Sequence, residues 1–262
     1  MAAIALPDAT THASPLAGRH ALVTGGGSGI GAAAAAALTR AGARVTVVGR
    51  REGPLRAMVE AGDAAAFVAA DVTDEAAFAA AFAAVKGPAL LLVNAAGSAE
   101  SAPFLKSDAA SFDRMWRVNV ASAITATRAS LPAMLDAGFG RVVNIASTAA
   151  LKGYRYVTAY ATAKHGLLGF TRALAQEVAA SGVTVNAVCP GFTDTALVAA
   201  SVARIVERTG RTTEQARAEL ARGNPMGRLV RPDEVAAAVL HLCLPAAGSV
   251  NGQAIAVDGG ET

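Results

Sequence analysis

The chain has 262 residues, of which 53% are hydrophobic and 16% charged, and its net charge is +3. That length supports one large α/β domain with a substantial core, and two cysteines, Cys189 and Cys243, are too few for a disulfide scaffold at this size. No charge-free apolar run of about 18 residues reads as a membrane span, no basic stripe interleaves with aromatics as a nucleic-acid surface would require, and His12, His20, His165 and His241 lack metal-ligand spacing.

Residues 1–16 carry no basic region ahead of an apolar stretch, so they do not read as a secretion signal. Pro7, Thr10, Thr11, Ser14 and Pro15 predict a mobile arm there, and two reduced thiols suit a cytoplasmic protein. The first strand is expected at 20–24, followed by Thr24-Gly25-Gly26-Gly27-Ser28-Gly29-Ile30-Gly31 and a helix over 29–41. Glycines let a backbone turn sharply and approach a pyrophosphate. The helix behind them offers free N–H groups and the positive end of its dipole. The second strand, 44–49, leads into a helix over 51–61. An acid at the end of that strand would bind ribose hydroxyls, whereas a basic residue suits a 2′-phosphate. Gly49 stands where the acid is expected and opens space, and Arg50 beside it can pair a phosphate through its planar fork. NADP(H) is therefore favoured over NAD(H). The bland alternative is that Arg50 and Arg51 both point to water.

A third strand at 66–70 precedes Asp71, which suits a cap for the helix expected over 74–86. The fourth strand is 89–94, and a long helix over 107–136 contains Trp116, read as packing. The fifth strand, 141–146, is followed by Ser147, at the carboxyl edge where open α/β sheets place their ligands. The helix over 158–180 carries Tyr160 and Lys164 four residues apart, hence on one face. A tyrosine, with a reference pKa of about 10, is a poor acid or base near neutrality, and a neighbouring lysine favours its phenolate. The sixth strand, 183–188, leads to Cys189, a small buried thiol with nothing nearby to activate it. Residues 193–224 hold helical stretches at 196–207 and 213–222 but no strand. On the ligand side of the sheet they predict a lid, the alternative being a surface excursion. A helix over 232–242 and a strand at 254–257 complete the alternation. It predicts a doubly wound parallel sheet of seven strands with helices on both faces. The expected organisation is an arm over 1–16 and one domain over 17–262, with the lid at about 193–226.

In this order the motifs resemble those of the short-chain dehydrogenase/reductase family, from roughly Leu16 to Gly260. The resemblance implies a single-domain Rossmann fold. It implies a cofactor held by Gly25, Ser28, Gly29, Ile30 and Gly31 of the loop, by Arg50, and by Asp71 and Val72 at the adenine. Asn94, Ala95 and Gly97 of the run Asn94-Ala95-Ala96-Gly97 go to the same cofactor, as do Pro190, Gly191 and Thr193. Asn119, Ser147, Tyr160 and Lys164 match the catalytic tetrad. By resemblance, Tyr160 exchanges a proton with the alcohol or carbonyl oxygen and Ser147 hydrogen-bonds that oxygen. Lys164 lowers the tyrosine pKa and binds the nicotinamide ribose, and Asn119 holds a relay water through its backbone.

The family acts on steroids, sugars, simple ketones and acyl thioesters, so fold and tetrad do not name a substrate. The lid length and the run from Asn224 to Glu234 resemble the 3-hydroxybutyrate and 3-hydroxyacyl dehydrogenase branches. Ala99, Ala149 and Val157, however, stand where hydroxybutyrate enzymes carry polar residues for the carboxylate. With Tyr154, Phe192 and Leu197 they outline an apolar pocket beside Ser147 and Tyr160, which favours a bulkier ketone or an acyl chain. The expectation is an NADPH-dependent carbonyl or 3-oxoacyl reductase. An NAD-dependent dehydrogenase of 3-hydroxyacids or 3-hydroxyacyl-CoAs is the enzyme alternative. A non-catalytic cofactor-binding regulator is the alternative of another class. The small basic excess suits an anionic ligand such as a phosphate or an acyl-CoA. The resemblance also implies a homotetramer packed through the helices that contain Asn119 and Tyr160.

Overall fold

Short runs of aliphatic and β-branched residues form the seven strands of the computed structural model, which describes residues 14–83, 85 and 87–262. They are β1 (His20–Thr24), β2 (Arg44–Gly49), β3 (Ala66–Ala69), β4 (Leu91–Asn94), β5 (Gly140–Ile145), β6 (Val183–Pro190) and β7 (Ala254–Val257). The helices are α1 (Gly29–Arg40), α2 (Glu52–Glu60), α3 (Glu75–Ala83), α4 (Ala109–Trp116), α5 (Ser122–Asp136), α6 (Thr158–Val178), α7 (Ala196–Thr209), α8 (Thr213–Ala221) and α9 (Pro232–Cys243). All strand pairs are parallel, in the order β3-β2-β1-β4-β5-β6-β7.

That order runs outward from β1 to β3, then restarts at β4 and runs outward to β7 on the other side. The winding therefore reverses between β1 and β4, and a crevice opens beyond their carboxyl ends, where Thr24 pairs with Asn94. Successive strand residues point to opposite faces. Ala21 and Val23 accordingly pack with Leu38 of α1, Leu55 of α2 and Val239 of α9. Leu22, between them, packs on the other side with Phe78 of α3, Met134 of α5 and Val178 of α6. Ala34 and Ala35 are fully buried, and their small side chains let α1 lie close against the sheet and α9.

The expected helix over 107–136 runs without interruption from Ala109 to Asp136 and changes pitch once on the way. Asp108 accepts a hydrogen bond from the Ser111 backbone N–H at 2.8 Å and starts α4. A π-helical segment, Arg117–Ala121, then separates α4 from α5 and carries Asn119. Such insertions re-aim the residues they contain. The helix expected over 74–86 is α3, and Asp74 rather than Asp71 caps it, accepting from Ala77 N–H at 3.0 Å. Lys86 lies outside the described residues, as do Pro7, Thr10 and Thr11 of the expected arm. Leu16, assigned to that arm, is fully buried and its N–H donates to Ala41 O at 3.0 Å, so the chain is seated before residue 17. Among the described residues no helix is long and apolar enough to cross a membrane.

Candidate active site

The crevice is a cavity of about 650 Å³ running from the glycine turn to the two lid helices, α7 and α8. At its floor Gly25 adopts φ +66°, and a Cβ there would lie 2.8 Å from Ala95 O and Ala96 N. A Cβ on Gly31 would overlap the Gly25 carbonyl. Only glycine permits this close seating of β1, α1 and the segment after β4. Thr24 ties the same corner, its hydroxyl accepting from Ala95 N at 3.1 Å and Ala96 N at 3.2 Å. The first turn of α1 holds no acid, and Ser28 makes no side-chain cap bond, so the helix's free N–H groups are available to an anion. Gly25, Ser28, Gly29, Ile30 and Gly31 all line the cavity.

At the end of β2 a Cβ on Gly49 would make only ordinary contact, 3.6 Å from Leu55 Cδ2. Arg50 and Arg51 line the cavity there with Pro54. The other expected adenine contacts divide. Val72 is on the cavity wall, but Asp71 is not. Its carboxylate accepts from Thr73 N at 2.9 Å and Thr73 Oγ1 at 2.8 Å, and the backbone bond is the main influence holding it below its ordinary pKa. Asn94 likewise lies behind the wall. Its amide donates to Asn144 Oδ1 at 2.8 Å and Thr127 Oγ1 at 3.3 Å, while Ala95, Ala96 and Gly97 form the surface. Pro190, Gly191 and Thr193 border the opposite side.

Asn119, Ser147, Tyr160 and Lys164 meet on one wall. Ser147 is extended, its Oγ accepting from Ala149 N–H at 3.1 Å, and it is close enough to Tyr160 to act on the phenol. Lys164, one turn beyond Tyr160 on α6, is buried and donates to Ile145 O at 2.8 Å. Asn119 donates from Nδ2 to Ser98 O and Met115 O, both at 3.0 Å, while its buried Oδ1 has no protein partner among the described residues. A Cβ on Gly97 would stand 2.9 Å from that Oδ1 and 3.6 Å from Lys164 Nζ, so glycine leaves the room between them.

Burial dominates the electrostatics. It pushes the Tyr160 phenol up, with the Ser147 side chain pulling the other way, and it pushes Lys164 down to about 8. Lys164 Nζ stands 5.7 Å from the Tyr160 ring centroid, and burial is the largest influence on the phenol. Cys189 is raised to about 11, also by burial, as suits an unreactive thiol.

At the lid end Ala149, Val157 and Leu197 line the cavity with Tyr154 and Phe192, whose rings meet edge-on at 6.5 Å. Glu261 is a site residue that no motif announced. Its nearly buried carboxylate accepts from the Tyr154 hydroxyl at 2.6 Å and pairs with Lys152 at 3.3 Å, and Lys152 Nζ also donates to its carbonyl at 2.8 Å. Burial and this carboxylate drive the Tyr154 phenol upward. Tyr154 is thus a fixed neutral wall, held by the end of the chain. In Glu261→Gln, KM for the wild-type ketone is expected to rise about tenfold with kcat within about twofold, since hydrogen bonds to charged groups are worth about 1.5–3 kcal/mol. An unchanged KM would show that Tyr154 keeps its place without the carboxylate.

A family model described as short chain dehydrogenase matches residues 19–205. The chain is 40% identical to the cis-4-hydroxycyclohexanecarboxylate dehydrogenase of Sinomonas cyclohexanicum over 93% of its own length and 96% of the relative's. It is 37% identical to the D-beta-hydroxybutyrate dehydrogenase of Cupriavidus necator, covering 94% and 98% of the two chains. Among solved structures, a variant of actinorhodin polyketide ketoreductase with NADPH superposes with a TM-score of 0.88 at 36% identity, covering 93% of this chain and 97% of that one.

Proposed function

The chain belongs to the short-chain dehydrogenase family, and from that premise we propose that it reduces a bulky ketone or a 3-oxoacyl compound to the secondary alcohol with NADPH. It is an NAD(P)-dependent oxidoreductase acting on CH–OH groups. The observation that carries the finer reading is that Ser147, Tyr160 and Lys164 line the same cavity as the glycine turn and Arg50.

A nicotinamide cofactor fits the residues present. The turn at Gly25 and Gly31 and the free N–H groups of α1 would hold its pyrophosphate, and Arg50 and Arg51 a 2′-phosphate. Lys164 would hold its ribose, with Pro190, Gly191 and Thr193 beside the nicotinamide. When bound, the nicotinamide supplies the hydride. The rest falls to the chain. The Ser147 hydroxyl donates a hydrogen bond to the substrate carbonyl oxygen, and Tyr160 gives that oxygen its proton. Burial keeps the Tyr160 phenol protonated at neutral pH, the state a proton donor needs in the reductive direction. Lys164, one helical turn away, supports the phenolate left behind and returns a proton to it. Ala99, Ala149 and Val157 offer a small carboxylate no partner, which argues for the bulkier ketone over free hydroxybutyrate.

Titration with NADPH and NADH tests the cofactor assignment. Wild type should bind NADPH more tightly, and Arg50→Ala should weaken NADPH by about tenfold while leaving NADH within about twofold, as loss of a charge-assisted phosphate contact requires. Equal binding of both, unchanged in the variant, would overturn the NADP(H) reading and move the search to NAD-dependent oxidation of hydroxyacyl compounds. The protein is further taken as a cytoplasmic homotetramer. Both cysteines are buried free thiols, and Trp116 and Leu135, 46% and 43% exposed, offer apolar surface on α4 and α5 to a second copy. Light scattering at the mass of four chains supports this assembly; a monomer refutes it.

A further inference from the structure

The cavity carries more positive charge than the cofactor needs. Its charged lining consists of Arg50 and Arg51 at the β2 end, the catalytic Lys164, and Arg155, Arg204, Arg208 and Glu100 at the lid end. Glu100 is already engaged, receiving Arg114 in a two-pronged contact at 2.9 and 3.0 Å. Among the described residues, Arg155, Arg204 and Arg208 are in ion pairs with no carboxylate. Of the other lid acids, Asp194 pairs with Arg217 and Glu219 with Arg211 and Arg222, while Glu207 and Glu214 do not line the cavity.

The placement of the three is specific. Leu197, Ser201, Arg204 and Arg208 recur on one stripe of α7, and all four line the cavity. Arg204 is half-buried and oriented by a bond to Ser201 Oγ at 3.2 Å. Like charges four apart on a helix repel unless something lies between them. A last-turn arginine does suit the helix dipole, and that alone would account for Arg208. It does not account for Arg204 facing inward, or for Arg155 on a different segment. Arg155 sits on the loop before α6, where Ala102 N–H binds Tyr156 O at 2.8 Å, so that loop lies against the irregular segment after β4 that carries Glu100. Glu100 in turn feels the Arg204 charge. Arg155, Glu100 and Arg204 thus converge at one mouth.

At about 1.5 Å per residue, Arg204 lies roughly 10 Å and Arg208 roughly 16 Å along α7 from Leu197. A carboxylate within a few bonds of the reacting carbonyl would meet Ala149 and Val157 instead. An extended arm of about 16 bonds, at roughly 1.2 Å per bond, reaches about 19 Å, longer than the stretch of α7 from Leu197 to Arg208. We propose that Arg155, Arg204 and Arg208 form a binding rim for a phosphate on the far end of the substrate, so that the site takes 3-oxoacyl thioesters of a phosphopantetheine arm. The oxoacyl end enters the apolar wall at Tyr154 and Phe192, and the phosphate stays at the lid. This rests on the reductase reading and specifies its substrate class.

The test compares acetoacetyl-pantetheine with acetoacetyl-4′-phosphopantetheine, which differ only in the phosphate, under NADPH saturation. Wild type should favour the phosphorylated thioester in kcat/KM by about tenfold, as two or three exposed charge contacts supply. In the double variant Arg204→Ala/Arg208→Ala that ratio should fall to within about twofold of one, and in Arg204→Lys/Arg208→Lys most of it should remain. Equal kcat/KM for the two thioesters in wild type, or a ratio that survives both alanine replacements, overturns the rim. If a neutral ketone is reduced while the thioesters show no phosphate preference, the reductase reading stands and the rim alone falls. If no carbonyl compound is reduced, the reductase reading falls. Calorimetry with 4′-phosphopantetheine against pantetheine, NADPH present, then decides the rim: equal binding overturns it, and tighter binding of the phosphate that is lost in the alanine variant upholds it. The coenzyme A thioester and the same arm on a carrier protein complete the panel. Preference for either supports the rim and identifies the source of the phosphate.

Discussion

Tyr160→Phe lowers kcat by about 10³-fold while the NADPH dissociation constant stays within about twofold, the size expected for loss of a positioned proton donor. The substitution deletes one oxygen. The ring keeps its place on α6, packed with Met115 and Ala163, so the wall of the cavity is preserved. What disappears is the hydroxyl beside Ser147 that is assigned the proton transfer. Single-turnover kinetics with a ketone, together with NADPH titration, separate the two effects. Loss of binding along with turnover would mean that the phenol holds cofactor rather than proton. Retained turnover would exclude it as the acid. The regulator alternative makes its own demand: biological output would survive Tyr160→Phe because cofactor binding survives.

Lys164→Met is expected to lower kcat by about 10²-fold or more, by removing the cation nearest the phenol. It also leaves a signature in stability that a merely structural lysine would not. Burial pushes Lys164 from an ordinary 10.5 down to about 8. Between those values the unfolded chain still holds a proton that the folded chain has released. Stability contributed by this residue therefore rises with pH across that window, and below about 8 the full penalty of burying the charge is present. Urea unfolding of the cofactor-free protein at pH 7.5 and 9.5 should show wild type gaining on the order of 1–2 kcal/mol relative to Lys164→Met, by the equivalence of one pKa unit to about 1.4 kcal/mol. A parallel pH response of the two proteins would mean that the lysine is solvated and its pKa ordinary.

The strands at 20–24, 44–49 and 254–257 were legible to the residue because each is an aliphatic run bounded by glycine, arginine or aspartate. The glycine turn was legible because its spacing encodes a steric requirement, and the cavity walls show it: no side chain fits at Gly25 or Gly31. Orientation was harder to read. Asp71 and Asp74 are both acids before one helix, and the cap fell to the residue three positions ahead of the receiving N–H. Asn94 belongs to a recognisable run, yet its amide turns inward to Asn144, which itself donates to Thr171 at 2.9 Å. The π-helical insertion at Asn119 was invisible because one extra residue per turn scarcely alters an apolar pattern. Glu261 was invisible for another reason. It acts on Tyr154, 107 positions away, and no local periodicity records a contact made only when the chain end folds back.

The most direct test of the account is isotopic. NADPH deuterated at its transferable position is incubated with the protein and a panel of bulky ketones and 3-oxoacyl thioesters, and the products are analysed by mass spectrometry. The expected product is a secondary alcohol carrying one deuterium on its carbinol carbon, formed by wild type and at least about 10²-fold more slowly by Tyr160→Phe. Saturable NADPH binding with no deuterium in any alcohol would contradict the reductase reading, and would leave a protein that holds the cofactor without using it.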